Sequence, residues 1–263
     1  AYYIPASLLY KSFKTMSVLA SGAVVRQVLL SAGAEESQIM AKLQPIATDM
    51  HALGNPWISY SVYLNNSFLP GLLQLMILLV TVFSIGSEMK RATSREWLRT
   101  ADDSIIIAIT GKLIPQTIIF FSMGLLYLSL LYGYLHFPMH NSIWHMIFAM
   151  FLLVVASQSF AVIIMCFAPS LRIGLSVGGL VGVLSLSIAG FSFPVPAMYL
   201  PFQAISYVLP VRHYFLIYVD QALNGIPLYY SRVHYVALIL FAVASTPLLP
   251  RLKKALMRQV YVP

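Results

Sequence analysis

Five long apolar stretches lie between Ser67 and Pro250, and the lysines and arginines fall in every second gap between them. Residues 67–86 carry no charge, and their length is close to the ~20 residues needed to cross ~30 Å of hydrocarbon. Residues 105–132 hold one, Lys112, near enough to the start for its long side chain to reach the headgroups. Residues 143–168 and 173–193 follow. The fifth stretch, 230–249, has Arg232 and His234 at its beginning and Pro247 near its end, positions that suit an interface. The pattern predicts an all-α polytopic membrane protein with five transmembrane helices.

Composition agrees: 59% of residues are hydrophobic, 9% are charged and the mean hydropathy is +0.82, which a soluble domain rarely tolerates. The net charge of +8 does not signal nucleic acid, because the basic residues flank apolar spans and form no stripe interleaved with aromatics. Short loops that keep Lys and Arg stay in the cytoplasm. Lys90, Arg91, Arg95 and Arg99 follow the first stretch, none follows the second, Arg172 follows the third, and Arg251, Lys253, Lys254 and Arg258 fill the tail. The tail is therefore expected in the cytoplasm and residues 1–66 outside. That segment mixes helical spacing with an alternating run at 56–64, which reads as a strand. It is expected to be the C-terminal part of an α+β external domain, with 67–263 as the transmembrane domain. Nothing before Ala6 would translocate it, so the chain is expected to be N-terminally truncated. Cys166 is the sole cysteine and sits in an apolar run, so no disulfide framework exists.

The candidate chemistry is mechanical. The link 88–104 is too polar to span but places Trp97 and Leu98 among arginines, as a short amphipathic helix at the inner face does; it either anchors the protein or docks a partner. Thr93 or Ser94 suits its start, and Glu96 lies near that positive end. Residues 194–213 are rich in proline and aromatics after the fourth stretch. Irregular backbone of that kind survives at membrane depth only under cover of protein or along a cavity. Gly174, Gly178 and Gly182 form a small-residue face for close helix approach, with the neighbouring helix left open. Gln74, Met76, Gln116 and Met123 are candidates for a substrate path. His136, His140 and His145 share one boundary without an acidic or thiol partner, so no metal site is expected.

Three motifs resemble the membrane subunits of type-2 ABC exporters, a bacterial multidrug and efflux-like permease family. Glu88 to Ala101 is similar to that family's E-x-E-K-G-T-x-E-x-L-L-x-T-P loop, with Ala92 in place of the glycine, Ala101 in place of the proline and Glu96 shifted by one position. Gly111-Lys112-Leu113-Ile114-Pro115 matches G-K-L-x-P. Gly190-Phe191-Ser192-Phe193-Pro194 with Met198, followed by Ser206 and Pro210, matches G-F-x-F-P-x-x-x-M and S-x-x-x-P. The resemblance implies six spans per subunit and no catalysis in this chain. A separate ABC ATPase subunit would bind ATP and Mg, a second permease subunit, identical or homologous, would complete the pore, and a periplasmic adaptor would join from outside.

It further implies that Thr93, Arg95, Glu96, Trp97, Leu98, Arg99 and Thr100 couple to the ATPase, Trp97 and Leu98 as the buried contact. Phe191, Phe193, Pro194, Pro196, Met198 and Tyr199 would form an outer gate built from short re-entrant helices. The expected setting is the bacterial inner membrane, and the cargo an amphipathic or hydrophobic substrate. An ion-coupled secondary transporter and a membrane scaffold are the alternatives; the first calls for ionisable residues at mid-membrane, and none of the five stretches has one there.

Overall fold

The computed structural model describes residues 3–33 and 60–258. Among them every regular element is helical: α1 (Tyr3–Ser31), α2 (Tyr60–Lys90), α3 (Ser94–Arg99), α4 (Ile105–Leu128), α5 (Ile143–Phe167), α6 (Leu171–Ile188), α7 (Leu200–Tyr207), α8 (Pro210–Tyr218), α9 (Leu228–Val243) and α10 (Leu249–Arg258), with short π and 3₁₀ turns between them. Six helices are long and apolar enough to cross a membrane. Five coincide with the stretches read from sequence. The sixth lies within α1, where Leu9–Ser31 has a mean hydropathy of 1.2 over its best window.

This corrects the expectation for residues 1–66. No strand occurs among the described residues, and 60–64, expected as part of a strand, form the first turns of α2. Alternation misled here because Tyr60, Val62 and Leu64 also fit a helix that is apolar on several faces. The rest of that expected strand, 56–59, and the helical run expected at 35–50 lie outside the described residues. The remaining expectation of an α+β domain therefore has no support, whereas the helical spacing in 7–31 corresponds to α1.

The hub of the bundle is α5. It is apolar all round, as a helix enclosed by others must be, and Met146, Met150, Leu153, Val154 and Met165 are fully buried along it. Toward one end its side chains join Tyr214, Phe215 and Tyr218 of α8 and Tyr235 and Leu238 of α9 in one core cluster. Toward the other they join Leu78, Val82 and Ile85 of α2, Leu98 of α3, Ile105 and Ile109 of α4, and Leu249, Leu252 and Leu256 of α10 in a second. The second cluster lies at the end where the basic loops collect.

The glycine face of α6 meets α2 of the same chain, which answers the question its sequence left open. A Cβ at Gly182 would stand 2.3 Å from Leu75 Cδ1 and 3.2 Å from Leu75 Cα, whereas one at Gly178 would meet only Val82 Cγ2 at 3.7 Å. Gly182→Ala is therefore expected to cost about 1–3 kcal/mol through overpacking. Gly178→Ala should leave stability unchanged or raise it by up to about 1 kcal/mol, because its methyl makes an ordinary contact with Val82 and alanine favours the helix. Thermal unfolding of the two purified variants in one detergent separates them; equal midpoints would show that the α2–α6 approach is looser than this.

Candidate coupling site and membrane cleft

The helix α3 is only six residues long, too short to hold itself together, so its position depends on side-chain anchors. Leu98 is 1% exposed and packs into the second core cluster. Trp97 is half-buried, with the Lys112 ammonium 4.4 Å from its ring centroid, a cation–π contact. The same ammonium donates to Glu88 Oε1 at 2.6 Å and to the Ser84 carbonyl at 2.8 Å, and the Thr93 hydroxyl donates to the other oxygen of Glu88. One partly buried carboxylate thus fastens the start of α3 to the end of α2 and the first turns of α4.

The other side of α3 is held by α10. Both Nε and Nη2 of Arg95 donate to the Met257 carbonyl, at 3.2 and 3.1 Å, and Lys253 Nζ donates to the Asp103 carbonyl at 2.5 Å. Of the seven residues expected to couple, Leu98 and Trp97 root the helix in its own chain. Thr93 latches it, Arg95 clamps it to α10, and Glu96, Arg99 and Thr100 remain exposed. The apolar pair expected to make the partner contact is thus turned inward at Leu98, and the free surface is polar. The Glu88–Lys112 pair is the part of this arrangement that the sequence did not reveal. The signal was present in the spacing, since both stand at motif positions, but Lys112 was read as a lone snorkelling charge.

Ala92, at the motif's usual glycine, has φ +59°, the left-handed region in which a Cβ costs about 1–2 kcal/mol. Ala92→Gly is expected to raise stability by about 1 kcal/mol, read as a higher unfolding midpoint. An unchanged or lower midpoint would contradict the strain.

Between α4, α5 and the end of α9 lies a cleft of about 480 Å³. Its walls include Ile106, Ile114 and Ile118, each more than half exposed, and a polar seam of Thr117, Gln158, Ser159 and Ser245. The seam is internally satisfied. The Thr117 hydroxyl lies 2.8 Å from Gln158 Oε1, and the Ser159 and Ser245 hydroxyls are 2.9 Å apart. A mostly apolar, side-opening cleft with a few oriented polar groups suits an amphipathic ligand. None of Gln74, Met76, Gln116 and Met123 lines it. Gln74 is fully buried and bridges α6 to α8, donating to Ser185 Oγ at 3.0 Å and accepting from the Val211 N–H at 2.8 Å. Gln116 accepts from Thr81 at 3.1 Å, and Met76 and Met123 are about half exposed.

At the opposite end, residues 194–213 form a 3₁₀ turn (Val195–Ala197), α7 and the start of α8. The expected short helices are present. Phe191 is buried against Phe215, with ring centroids 5.6 Å apart, and its carbonyl accepts from the Tyr63 hydroxyl. Phe193, Pro196 and Tyr199 are exposed, and Pro194 and Met198 are half-buried. Gln203 donates to the Met198 carbonyl at 2.8 Å. Arg212 donates to the Ala189 carbonyl at 3.1 Å and stacks over Tyr207. Its Nη1 stands 2.6 Å from where a Cβ at Gly190, φ +101°, would fall, so the motif glycine leaves room for the guanidinium. His213 meets the Tyr207 carbonyl at 3.0 Å and His234 Nδ1 at 3.4 Å. Burial lowers its pKa from the ordinary value, and a neutral imidazole fits one donor and one acceptor there.

Fold and site together define a multi-pass membrane protein with a short helix lashed to its spans. The family of ABC-2 family transporter proteins matches residues 1–249, and the chain belongs to that family as an ABC transporter permease. No curated protein and no solved structure matched the chain.

Proposed function

We propose that this chain is the permease subunit of an ATP-driven exporter, and that α3 transmits the closure of a separate ATPase subunit to the membrane helices. The observation that carries the reading is the division of α3 into a rooted face and a free one. Leu98, Trp97 and Thr93 tie it to α2 and α4, while Glu96, Arg99 and Thr100 are left exposed beside a cluster of cations. A lever needs both. ATP and Mg belong to the partner, which must favour one membrane conformation through differential contacts at this helix.

The distribution of Lys and Arg supports a cytoplasmic location for α3 and α10, and Leu9–Ser31 would then run outward from Lys11 and Lys14. In the bacterial inner membrane, the 480 Å³ cleft opens toward the inner half of the bilayer and receives an amphipathic substrate. The segment 194–213 lies outside and gates release, and a second permease subunit, identical or homologous, completes the path.

Purification of the tagged protein from its native membrane, with mass spectrometry of accompanying subunits, tests this. An ABC-type ATPase is expected with wild type and is expected to be lost with Arg99→Glu. Its absence from both samples would favour a secondary transporter or a scaffold.

A further inference from the structure

Beneath α3 a second cavity, of about 490 Å³, opens between the start of α3, the α5–α6 turn and α10. Its charged lining consists of Arg251, Lys254 and Arg258, and no carboxylate lines it. Among the described residues none of these three cations forms an ion pair. The rest of the lining includes Met89, Phe167 and Leu256, and the Arg251 guanidinium lies 4.7 Å from the centre of the Phe167 ring. One wall is Ser94, whose side chain is fully buried and whose Oγ has no hydrogen-bond partner. A buried hydroxyl without a partner is costly, and beside three cations an acceptor with negative charge would satisfy it best.

We propose that this cavity binds a phosphate group, supplied by the headgroup of an anionic phospholipid from the leaflet that α3 and α10 border. Phosphate provides several acceptor oxygens, enough for the Ser94 hydroxyl and the Arg251, Lys254 and Arg258 side chains together. The apolar half of the lining marks lipid as the source over a soluble anion. Phe167 is the last residue of α5 and 59% exposed, which puts the cavity at the end of a span, the level at which headgroups lie. Basic pockets between helices at that level recognise such headgroups. The lipid would join α10 to the α5–α6 turn and so stiffen the platform that holds Arg95 of α3. Binding here needs no ATPase, so the site stands or falls separately from the exporter reading.

The test uses purified full-length protein in a mild detergent, titrated with short-chain phosphatidylglycerol, short-chain phosphatidylcholine or inorganic phosphate. The thermal midpoint is followed, and bound lipid is read by native mass spectrometry. Phosphatidylglycerol is expected to raise the midpoint and remain bound, and phosphatidylcholine to do neither. Lys254→Gln with Arg258→Gln should weaken the response by at least about tenfold, since each cation near anionic lipid contributes about fivefold. Both residues are exposed, so the fold should survive their replacement. Ser94→Ala should weaken binding with no change of charge, and Lys90→Gln, outside the cavity, should bind as wild type does. An equal response to inorganic phosphate would keep the phosphate site and overturn its assignment to lipid. Equal retention of the two lipids, or a double variant that binds phosphatidylglycerol as wild type does, would overturn the proposal.

Discussion

Lys112→Met is expected to lower transport at least about tenfold without preventing membrane insertion. The substitution removes the donor to Glu88 and to the Ser84 carbonyl and the cation over Trp97. A hydrogen bond to a charged group contributes about 1.5–3 kcal/mol when it is lost from a partly buried place. The Glu88 carboxylate is 23% exposed and would keep the Thr93 hydroxyl, with only the Arg91 charge nearby to offset its own. Glu88→Gln should act in the same direction and less severely, because an amide still accepts from Thr93. The reversed pair, Glu88→Lys with Lys112→Glu, should recover part of the activity, since Coulomb attraction survives the exchange while the bonds to Ser84 and Thr93 do not. A double-mutant cycle on transport rate measures this directly. Additive losses would mean that the two charges act independently and that α3 is not lashed through them.

The second large effect is expected at α10. Leu252 and Leu256 are fully buried and, with Leu249, fill the same cluster as Leu98 of α3 and Ile105 of α4. This helix has an apolar stripe on an otherwise basic surface (LPRLKKALMR), so burial of its leucines is what holds it in place. Truncation of either leucine to alanine should cost about 2–5 kcal/mol, and the pair should release α10. The Arg95–Met257 and Lys253–Asp103 bonds would go with it, so a protease should cut near Arg251 faster than in wild type. Exposed Met257→Ala, by contrast, should change little, because Arg95 bonds to its backbone carbonyl and not to its side chain. Unchanged proteolysis in the double variant would show that α10 is held by something other than its leucines.

The spans were legible because one physical signal, continuous apolarity over about 20 residues, sets them. The N-terminal helix was not read as a span. Lys11, Lys14 and Arg26 interrupt it, and its hydropathy is the lowest of the six. Short-range alternation at 60–64 was equally ambiguous, and only its continuity with the following apolar run made it helical.

The motif residues were legible as positions and not as contacts. Glu88, Thr93 and Lys112 come from two motifs and meet at one point, 24 residues apart along the chain between Glu88 and Lys112. Gly190 and Arg212 likewise meet, although the proline-rich segment separates them along the chain. Long-range pairs of this kind leave no periodic trace. The role of Leu98 was misjudged for a related reason: an apolar residue in an amphipathic helix has the same sequence signature whether it faces a partner or its own core. Gln74 looked like a pore-lining amide by the general rule for intramembrane polar groups, yet both its hydrogen-bonding ends are used within the bundle.

Site-specific photo-crosslinking along α3 tests the central claim most directly. A photoreactive residue at position 96, 99 or 100 in cells is expected to form an adduct with an ABC-type ATPase. The same residue at position 144 or 199, at the far end of the bundle, is expected to form none. Failure of all three α3 positions to reach an ATPase, or equal adducts from both ends, would contradict the assignment of α3 as the coupling helix.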